Sequence, residues 1–425
     1  MANIVHGSVG TEMTQAEWEA AQHIIAGATV GTIPYFDGLR LVGLAPGTPG
    51  QVLRTQGAGT PPDWMANFRS ATKIIAANNS TAVCKQAADY VCDGVDDQVE
   101  INAAITSLPV AGGTVQLLDG TFTIGSPINI TSYCHLTGTG RGSIIKAATS
   151  WVGITAMLSN SDRVSGNTNL MVSNLMIDGT RVSVSIWGVD LAYCTSIYLR
   201  DLYITQCGNL SGGGIVSSGG TYLNILNCLV NYCNMGISLS TPYSVLYGCQ
   251  VNNCYSVGIW LSSDYCTVQA CVSFNNSGDG IQTGSIVGSV LVGNRVYGNQ
   301  GEAGIDAFGD RAVIVGNFSR ANSKVGIMVS NGYNALVSSN VCSENSQLLT
   351  NTYSNITING GTETYICNNV CRKGALTAVP KYGVEVKSGS LNCWVTNNDL
   401  KDGGATGAYA DAGTGTSTTA GNRLA

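Results

Sequence analysis

"NCLVNYCNMGI" at residues 227–237 places Cys228 and Cys233 five apart and then runs into Gly236-Ile237. "GNRVYGNQGEAGI" at 293–305 puts Asn294 and Asn299 at the same interval, again just ahead of a Gly-Ile pair. A chain that keeps the interval and the stop while exchanging a thiol for an amide is repeating a backbone shape, not a chemistry. Alignment on Gly-Ile gives Gly214, Gly236, Gly258, Gly280, Gly304 and Gly326, separated by 22, 22, 22, 24 and 22 residues. An upstream column then falls into line as Asn174, Asp201, Cys228, Cys249, Cys271, Asn294, Asn317, Asn340, Asn369, Asn398 and Asn422. Five residues on runs a second, Cys233, Cys254, Asn276, Asn299, Asn322 and Asn345. The 29-residue steps from Asn340 to Asn369 and on to Asn398 read as loops inserted at one corner.

Periods of 20 to 50 residues indicate solenoids, propellers or arrays. The segments here are short and alternating, as in "SVLVGNRV" and "NALVSSNV", with β-branched residues and Gly/Asn corners in place of a helical period. Roughly 22 residues accommodate three short strands and three turns, one coil of a parallel β-helix. Equivalent residues would stack about 4.8 Å apart, so eleven rungs would rise on the order of 50 Å. The column two residues after the first, from Met176 and Tyr203 through Val230, Val251 and Val296 to Cys371, Leu400 and Leu424, is mostly apolar and is expected to face inward. A stacked Asn at a tight corner tolerates the left-handed conformation and can bond its amide to the rungs above and below. Cys fills the same corner as a small buried hydrophobe.

Composition narrows the partners. Charged residues are 11% of the chain against roughly 25% in ordinary globular proteins, Gly numbers 54, and the formal net charge is −6. A polar, uncharged surface without Lys/Arg clusters gives no phosphate-binding footprint and excludes nucleic acid as a partner. No apolar run of 18 residues is present, so membrane insertion is not expected. The first residues lack the cationic start and apolar core of a secretory signal. The 15 cysteines are odd in number, have no CxxC pair at zinc spacing, and fall largely in the stacking columns, so they read as packing thiols; Cys84 and Cys92 alone stand outside the ladders, where a disulfide is conceivable. No metal and no cofactor is expected. His6, His23 and His135 are scattered without partners at metal or triad spacing.

Before the repeats, "DYVCDGVDDQVEINAAITSLPVAGGTVQLLDGTFTI" at 89–124 contains an amphipathic helix with acids in its first turn, a Gly-Gly break and the strand "TVQLL". Such a helix would cover the open end of the first rung, as solenoids require. The segment resembles the capping region of the pectate-lyase-like right-handed β-helix superfamily, whose form is a "DGVxDDxxxIxxAI" helix followed by "GGTVxxPxGTY". Asp119 stands where that pattern has Pro. The resemblance covers residues 70–425 and implies an all-β fold, a right-handed parallel β-helix. It leaves activity open, because lyases, hydrolases, epimerases and non-enzymatic spikes share the fold.

The first 70 residues differ. "TQAEWEAAQHI" opens with Thr14 and Glu17 as a candidate capping box, and the Gly/Pro-rich stretch after it can bury little by itself. Gly47, Gly50, Gln51, Val52, Leu53, Gly57, Gly59, Pro62 and Trp64 resemble the "GxxGQVLxxxGxGxxPxW" segments of phage and prophage tail fibres. The resemblance implies a virion-attachment and trimerisation region over 1–70, a β-helix cap over 71–125 and the β-helix over 126–425. It further implies a homotrimer joined to other tail or baseplate proteins through its N-terminal region, located in the virion tail and assembled in a host cytoplasm, whose reducing conditions suit unpaired thiols. "GNRLA" at 421–425 repeats "GNRV" at 293, so the coil is expected to continue to the last residues, leaving an edge that a partner would cover.

If the Ile of each Gly-Ile points inward, the next residue points out, giving an exposed column of Val216, Ser238, Trp260, Gln282, Asp306 and Met328. Trp260 and Gln282 are candidate substrate-binding residues, because aromatic faces stack on sugar rings and amides bond hydroxyls; the same column would also suit a contact between subunits. Asp279, Glu302 and Asp306 are candidate catalytic carboxylates, since two acids roughly 5 to 9 Å apart can serve as acid and base in glycoside cleavage. Lys324 stands one rung from Glu302, and Arg311 adjoins Asp310, so surface pairing is the competing reading of these acids. The lyase pattern of several calcium-binding Asp residues plus a catalytic Arg is not evident. The function expected from the residues and the resemblance is a phage tail fibre or tailspike recognising a host cell-surface glycan. The alternatives are a polysaccharide depolymerase, hydrolase or lyase, on the same scaffold, and a cellular adhesin or structural β-helix.

Overall fold

The computed structural model describes residues 28–425 apart from 40, 49–50, 67–70, 153–154, 183, 209–210 and 419–420. The chain divides into two compact units, 1–70 and 71–425.

The larger unit is a right-handed parallel β-helix. Among the described residues its three sheets hold fifteen, eleven and twelve strands, and neighbours in each sheet come from successive rungs. One rung shows the plan: Val290–Val292 lies in the first sheet, Arg295–Tyr297 in the second and Ala303–Phe308 in the third. Each pairs in parallel with its counterparts one rung before and one rung after, as Ile281, Ile305 and Ile327 do in the third sheet. The core is a single apolar column of inward residues along the axis, with Ile237, Ile259, Ile281, Ile305 and Ile327 all at 0% exposure. The Ile of Gly-Ile therefore faces inward, as the alternation predicts.

The glycine before it has an equally specific reason. A Cβ on Gly258 would lie 2.6 Å from Asn276 Nδ2, and one on Gly304 would lie 2.5 Å from Asn322 Nδ2. In the rungs that carry Cys, the obstacle is instead the side chain of Val230 or Val251, 2.4 Å from a Cβ on Gly214 or Gly236. The strand enters the third sheet against the inside of the second corner, and only a bare α-carbon fits there.

Both asparagine ladders form. In the first, Asn294, Asn317, Asn340, Asn369 and Asn398 are buried, and each Nδ2 donates to the Oδ1 of the next at 2.9–3.1 Å, ending on Asn422. That same oxygen accepts the backbone N–H of the rung before, 2.8–2.9 Å away. The second ladder runs Asn276, Asn299, Asn322, Asn345 and closes on Asn355. Cys271 hands over directly to the amides, its N–H donating to Asn294 Oδ1 at 2.9 Å.

Two expectations need correction. The left-handed residue is not the stacked Asn but the one before it: Asn227, Gly248, Ala270, Gly293, Gly316 and Ser339 all have φ between 52° and 67°. That residue turns the corner, which aims the following side chain inward. The first two rungs are also displaced by one. Asn174 and Asp201 belong to the left-handed column, and Leu175 and Leu202, buried at 1% and 2%, occupy the ladder position. Consequently Ile177 and Ile204 face the core and Met176 and Tyr203 do not, since Ile204 pairs with Val230.

More cysteines lie outside the two ladders than Cys84 and Cys92. Cys134, Cys194, Cys266 and Cys393 are buried, and Cys134, Cys266 and Cys393 follow the left-handed residues Tyr133, Tyr265 and Asn392 at the third corner, while Cys367 is half-buried on the first sheet. All 15 are free thiols. Burial pushes the Cys134 thiol up to about 12. Cys84 donates to Asp119 Oδ1 at 3.1 Å, so Asp119 holds a cap thiol.

Two helices, α1 (Ala82–Ala87) and α2 (Gln98–Thr106), accompany the first strands. α2 buries Ile101, Ala104 and Ile105 against the first rung. Asp97, its N-cap, does not bond its own helix; its two oxygens accept the N–H groups of Gly94 (2.8 Å) and Thr123 (2.7 Å), fastening the cap to the coil. The 29-residue steps are loops at the corner between the second and third sheets. They are tied to it by Glu344, which pairs with Arg320 and accepts the Ala375 N–H at 3.0 Å, and by Gln347, which donates to Ala378 O at 2.8 Å.

The smaller unit holds two antiparallel hairpins, Ile33–Phe36 with Leu41–Leu44 and Gln51–Arg54 with Asp63–Ala66. Trp64 lies over Gly47, where a Cβ would come within 2.6 Å of the indole, and its Nε1 donates to Ala45 O. The candidate capping box at Thr14 and Glu17 lies outside the described residues.

Candidate functional site

The outer face of the third sheet is built by the inward Ile column. Each residue after that Ile points outward and pairs with its neighbours one strand spacing away, giving Val216, Ser238, Trp260, Gln282, Asp306, Met328, Thr357 and Glu385 in register. Trp260, Gln282 and Asp306 thus occupy three successive rungs. Two residues farther along the strands, Ser240 and Ser262 share a hydrogen bond of 2.5 Å between their hydroxyls.

The acids cluster beside this row. Asp306 is 2% exposed although it points outward, and its Oδ1 accepts the Ser330 hydroxyl at 3.0 Å. Burial, reinforced by the negative charges of Asp279 and Glu302, pushes its carboxyl up to about 7. Asp279 is 4% exposed and accepts the Ala303 N–H at 2.8 Å, a bond that crosses to the next rung. Burial pushes Asp279 up to about 6, against the pull of the Ala303 and Glu302 N–H groups. Glu302 has another environment, with a largely exposed carboxylate paired to Lys324. The Lys324 ammonium lies 5.9 Å from the Tyr353 ring centroid, and its pKa is raised by Glu302. Asp310 accepts the Tyr333 N–H at 3.0 Å, and among the described residues it forms no ion pair with Arg311.

The three acids therefore share one neighbourhood but have separate capabilities. Asp279 and Asp306 are buried carboxyls that exchange protons near neutral pH, as general acids and bases require. Glu302 is a screened surface ion whose partner is already present. Ser330, Tyr353, Ser354, Thr357 and Glu385 extend the site beyond the residues found by spacing. Glu385 Oε2 accepts the Ser354 hydroxyl at 2.8 Å, and the Thr357 hydroxyl is fully buried without a partner. Their signal in the sequence is the jump from 22 to 29 residues, which brings the inserted loop carrying Tyr353 and Ser354 to this edge of the sheet.

Cys92, Asp97 and Glu100 bring their ligand atoms within 4.8 Å of one another, but in the cap, away from this row. His135 Nε2 lies 2.8 Å from Ser173 Oγ, and burial lowers its pKa; His6 and His23 lie outside the described residues.

Residues 88–282 match the family model described as rhamnogalacturonase A/epimerase, pectate lyase-like. No curated protein matches by sequence. Among solved structures, the A-module of the Azotobacter vinelandii mannuronan C-5 epimerase AlgE4 is similar with a TM-score of 0.66 at 16% identity, covering 78% of this chain and 96% of its own. The N-terminal fragment of bacteriophage Phi29 gene product 12 gives 0.54 at 18% identity, covering 77% and 69%. Bacteriophage CBA120 tailspike protein 3 gives 0.52 at 13% identity, covering 76% and 59%. At these identities the likeness is one of fold: a pectate-lyase-like β-helix shared by phage tailspikes and carbohydrate-active enzymes.

Proposed function

We propose that this chain is a phage tail fibre or tailspike protein that binds a host-surface glycan along the outer face of its third sheet. The observation that carries the reading is the row Ser238, Trp260, Gln282 and Asp306 on consecutive rungs, flanked by Ser240 and Ser262. An indole, an amide and hydroxyls at regular spacing supply one apolar platform and several hydrogen-bonding groups, which suits a polyhydroxylated chain. The tail-fibre resemblance of residues 47–64 and the two phage neighbours support the virion setting, the homotrimer and the attachment role of residues 1–70.

A second reading is favoured by one specific observation, the pair Asp279 and Asp306 with carboxyls pushed up to about 6 and about 7. On this reading the face cleaves or isomerises the glycan it binds, with Asp306 donating and Asp279 accepting a proton. Glu302 then holds Lys324 in place.

Binding of host capsule or envelope polysaccharide, followed by glycan array and by release of reducing or unsaturated ends, tests both readings. Trp260→Ala is expected to weaken binding about tenfold or more, the scale of one lost stacking partner. Asp306→Asn is expected to abolish product release while leaving binding in place if the face is catalytic. Binding unaffected by Trp260→Ala and Gln282→Ala together removes this face from the glycan site.

A further inference from the structure

The cap holds a cluster of side chains that neither the core nor the outer row uses. Cys92 follows the strand Tyr90–Val91, Asp97 is the N-cap of α2, and Glu100 lies in the first turn of that helix. Asp97 and Glu100 are three residues apart and so share one side of the helix. The turn at 93–96 returns Cys92 to that side, and the thiol and the two carboxylates bring ligand atoms within 4.8 Å of one another. Two features of this trio are not accounted for by packing. Glu100 Oε2 is shut off from solvent and has no hydrogen-bond partner among the described residues, although an unpaired carboxylate oxygen is costly to bury. The Cys92 thiol is 2% exposed, yet its nearest acceptor, Asp97 O, is 4.0 Å away, beyond useful hydrogen-bond range. Thiols of the coil do better, since Cys194, Cys228, Cys249 and Cys271 each reach a carbonyl at 3.3–3.4 Å. Among the described residues no Lys, Arg or His pairs with Asp97 or Glu100.

We infer that Cys92, Asp97 and Glu100 form a binding site for one zinc ion. The donor set selects the metal, because one thiolate with two carboxylates is a mixed sulfur and oxygen site. Magnesium and calcium take oxygen ligands alone, and copper(I) prefers sulfur. Zinc bonds of about 2.3 Å to sulfur and about 2.0–2.2 Å to oxygen place tetrahedral donors roughly 3.3–3.6 Å apart. That is inside the 4.8 Å span of the trio, so the site closes by side-chain adjustment. The ion supplies the partner that the buried Glu100 oxygen lacks and takes the place of the Cys92 thiol proton, which leaves to solvent. Each Asp97 oxygen accepts a single backbone N–H and retains a lone pair for the metal. Glu100 is only partly buried, which gives the ion a way in from solvent and leaves room for water as the fourth ligand. The bound ion clips the end of the strand to the first turn of α2, the helix whose Ile101, Ala104 and Ile105 cover the first rung. The inference concerns the cap and is independent of what the third sheet binds.

The test uses the full chain, stripped of metal with a chelator and then equilibrated with zinc or cobalt(II) alone. Cys92→Ser and Glu100→Gln are compared with the wild type, and Cys84→Ser serves as the control for the half-buried cap thiol. The expected result is one zinc per chain by elemental analysis and a melting temperature that rises with zinc concentration. Cobalt should give the near-ultraviolet charge-transfer band of a thiolate ligand, lost in Cys92→Ser and kept in Cys84→Ser. Glu100→Gln should weaken zinc binding by at least the roughly tenfold that losing even an outer partner of a metal ligand costs. Matching circular dichroism of the metal-free chains separates loss of a ligand from loss of the fold; should Cys92→Ser fail to fold, Glu100→Gln decides. A wild type that retains no stoichiometric zinc, a cobalt complex without the thiolate band, or equal zinc affinity in Glu100→Gln overturns the inference.

Discussion

Asp306 ties stability to pH through its charge. Its folded carboxyl is pushed up to about 7, above the ordinary carboxylate range, so burial favours the protonated form. The stabilisation is therefore fully present below about pH 4 and is lost as pH rises through about 7, with Asp279 adding a smaller contribution that is lost through about 6. Chemical denaturation should show unfolding free energy falling by about 2–4 kcal/mol between pH 4 and pH 8. Asp306→Asn should flatten that slope and exceed the wild type in stability at pH 8; an unchanged slope would place the titration elsewhere. The ladder is the opposite case, where removal costs. Asn317 donates to Leu291 O and Asn340 Oδ1 and accepts from both the N–H and the Nδ2 of Asn294. Asn317→Ala leaves buried donors and an acceptor unpaired on three rungs, and should cost about 2–4 kcal/mol in the same measurement. The ladder residues were legible because Asn and Cys are conspicuous at a fixed interval. Leu175 and Leu202 fill the same place as ordinary apolar residues, and the polar Asn174 and Asp201 beside them carry the conspicuous signal one position early.

At the scale of the element, the Gly-Ile junction is a point where the rung has no room for a side chain. A Cβ on Gly280 would meet Val296 Cγ1 at 2.3 Å, Asn299 Nδ2 at 2.7 Å and Gly304 O at 2.7 Å, whereas one on Gly284, four residues on, would find nothing nearer than 3.7 Å. Gly280→Ala should therefore cost about 3 kcal/mol or more and lower the melting temperature, while Gly284→Ala should leave it nearly unchanged. Comparable losses for the two would mean that the strand, not the corner, sets the demand for glycine. The strands, the α2 cap and the inward or outward sense of each third-sheet position could be read from alternation. What escaped was the environment of those outward positions. Alternation says that Asp306 leaves the core, but it cannot say that its carboxyl is nevertheless covered to 2% exposure and bonded by Ser330. That burial, and not its mere presence in the column, is what separates Asp306 from Glu302.

Across the whole molecule, the coil gives each sheet a separate surface over one shared core. Polar groups and acids gather on the third, arginines on the second, and the strands of the first from Asn224 onward carry no charged residue at their outward positions. Composition alone, at 11% charged residues, indicated a surface short of charge; only the pairing register shows that the shortage is concentrated on one side. The described part of the smaller unit, residues 28–66, contains no buried residue, which agrees with its Gly/Pro-rich sequence and leaves the coil as the part with a substantial core. A solenoid gains stability from contacts between neighbouring rungs, so damage to one layer is felt mainly by the two beside it.

The handover from Cys271 to Asn294 shows that a corner accepts either side chain without altering the path of the backbone. Length in such a rod is consequently a counting matter. Duplicating one 22-residue coil would move everything beyond it outward by about 4.8 Å and leave each side facing as before. Rungs could thus be added or lost without changing the residues that any one side presents.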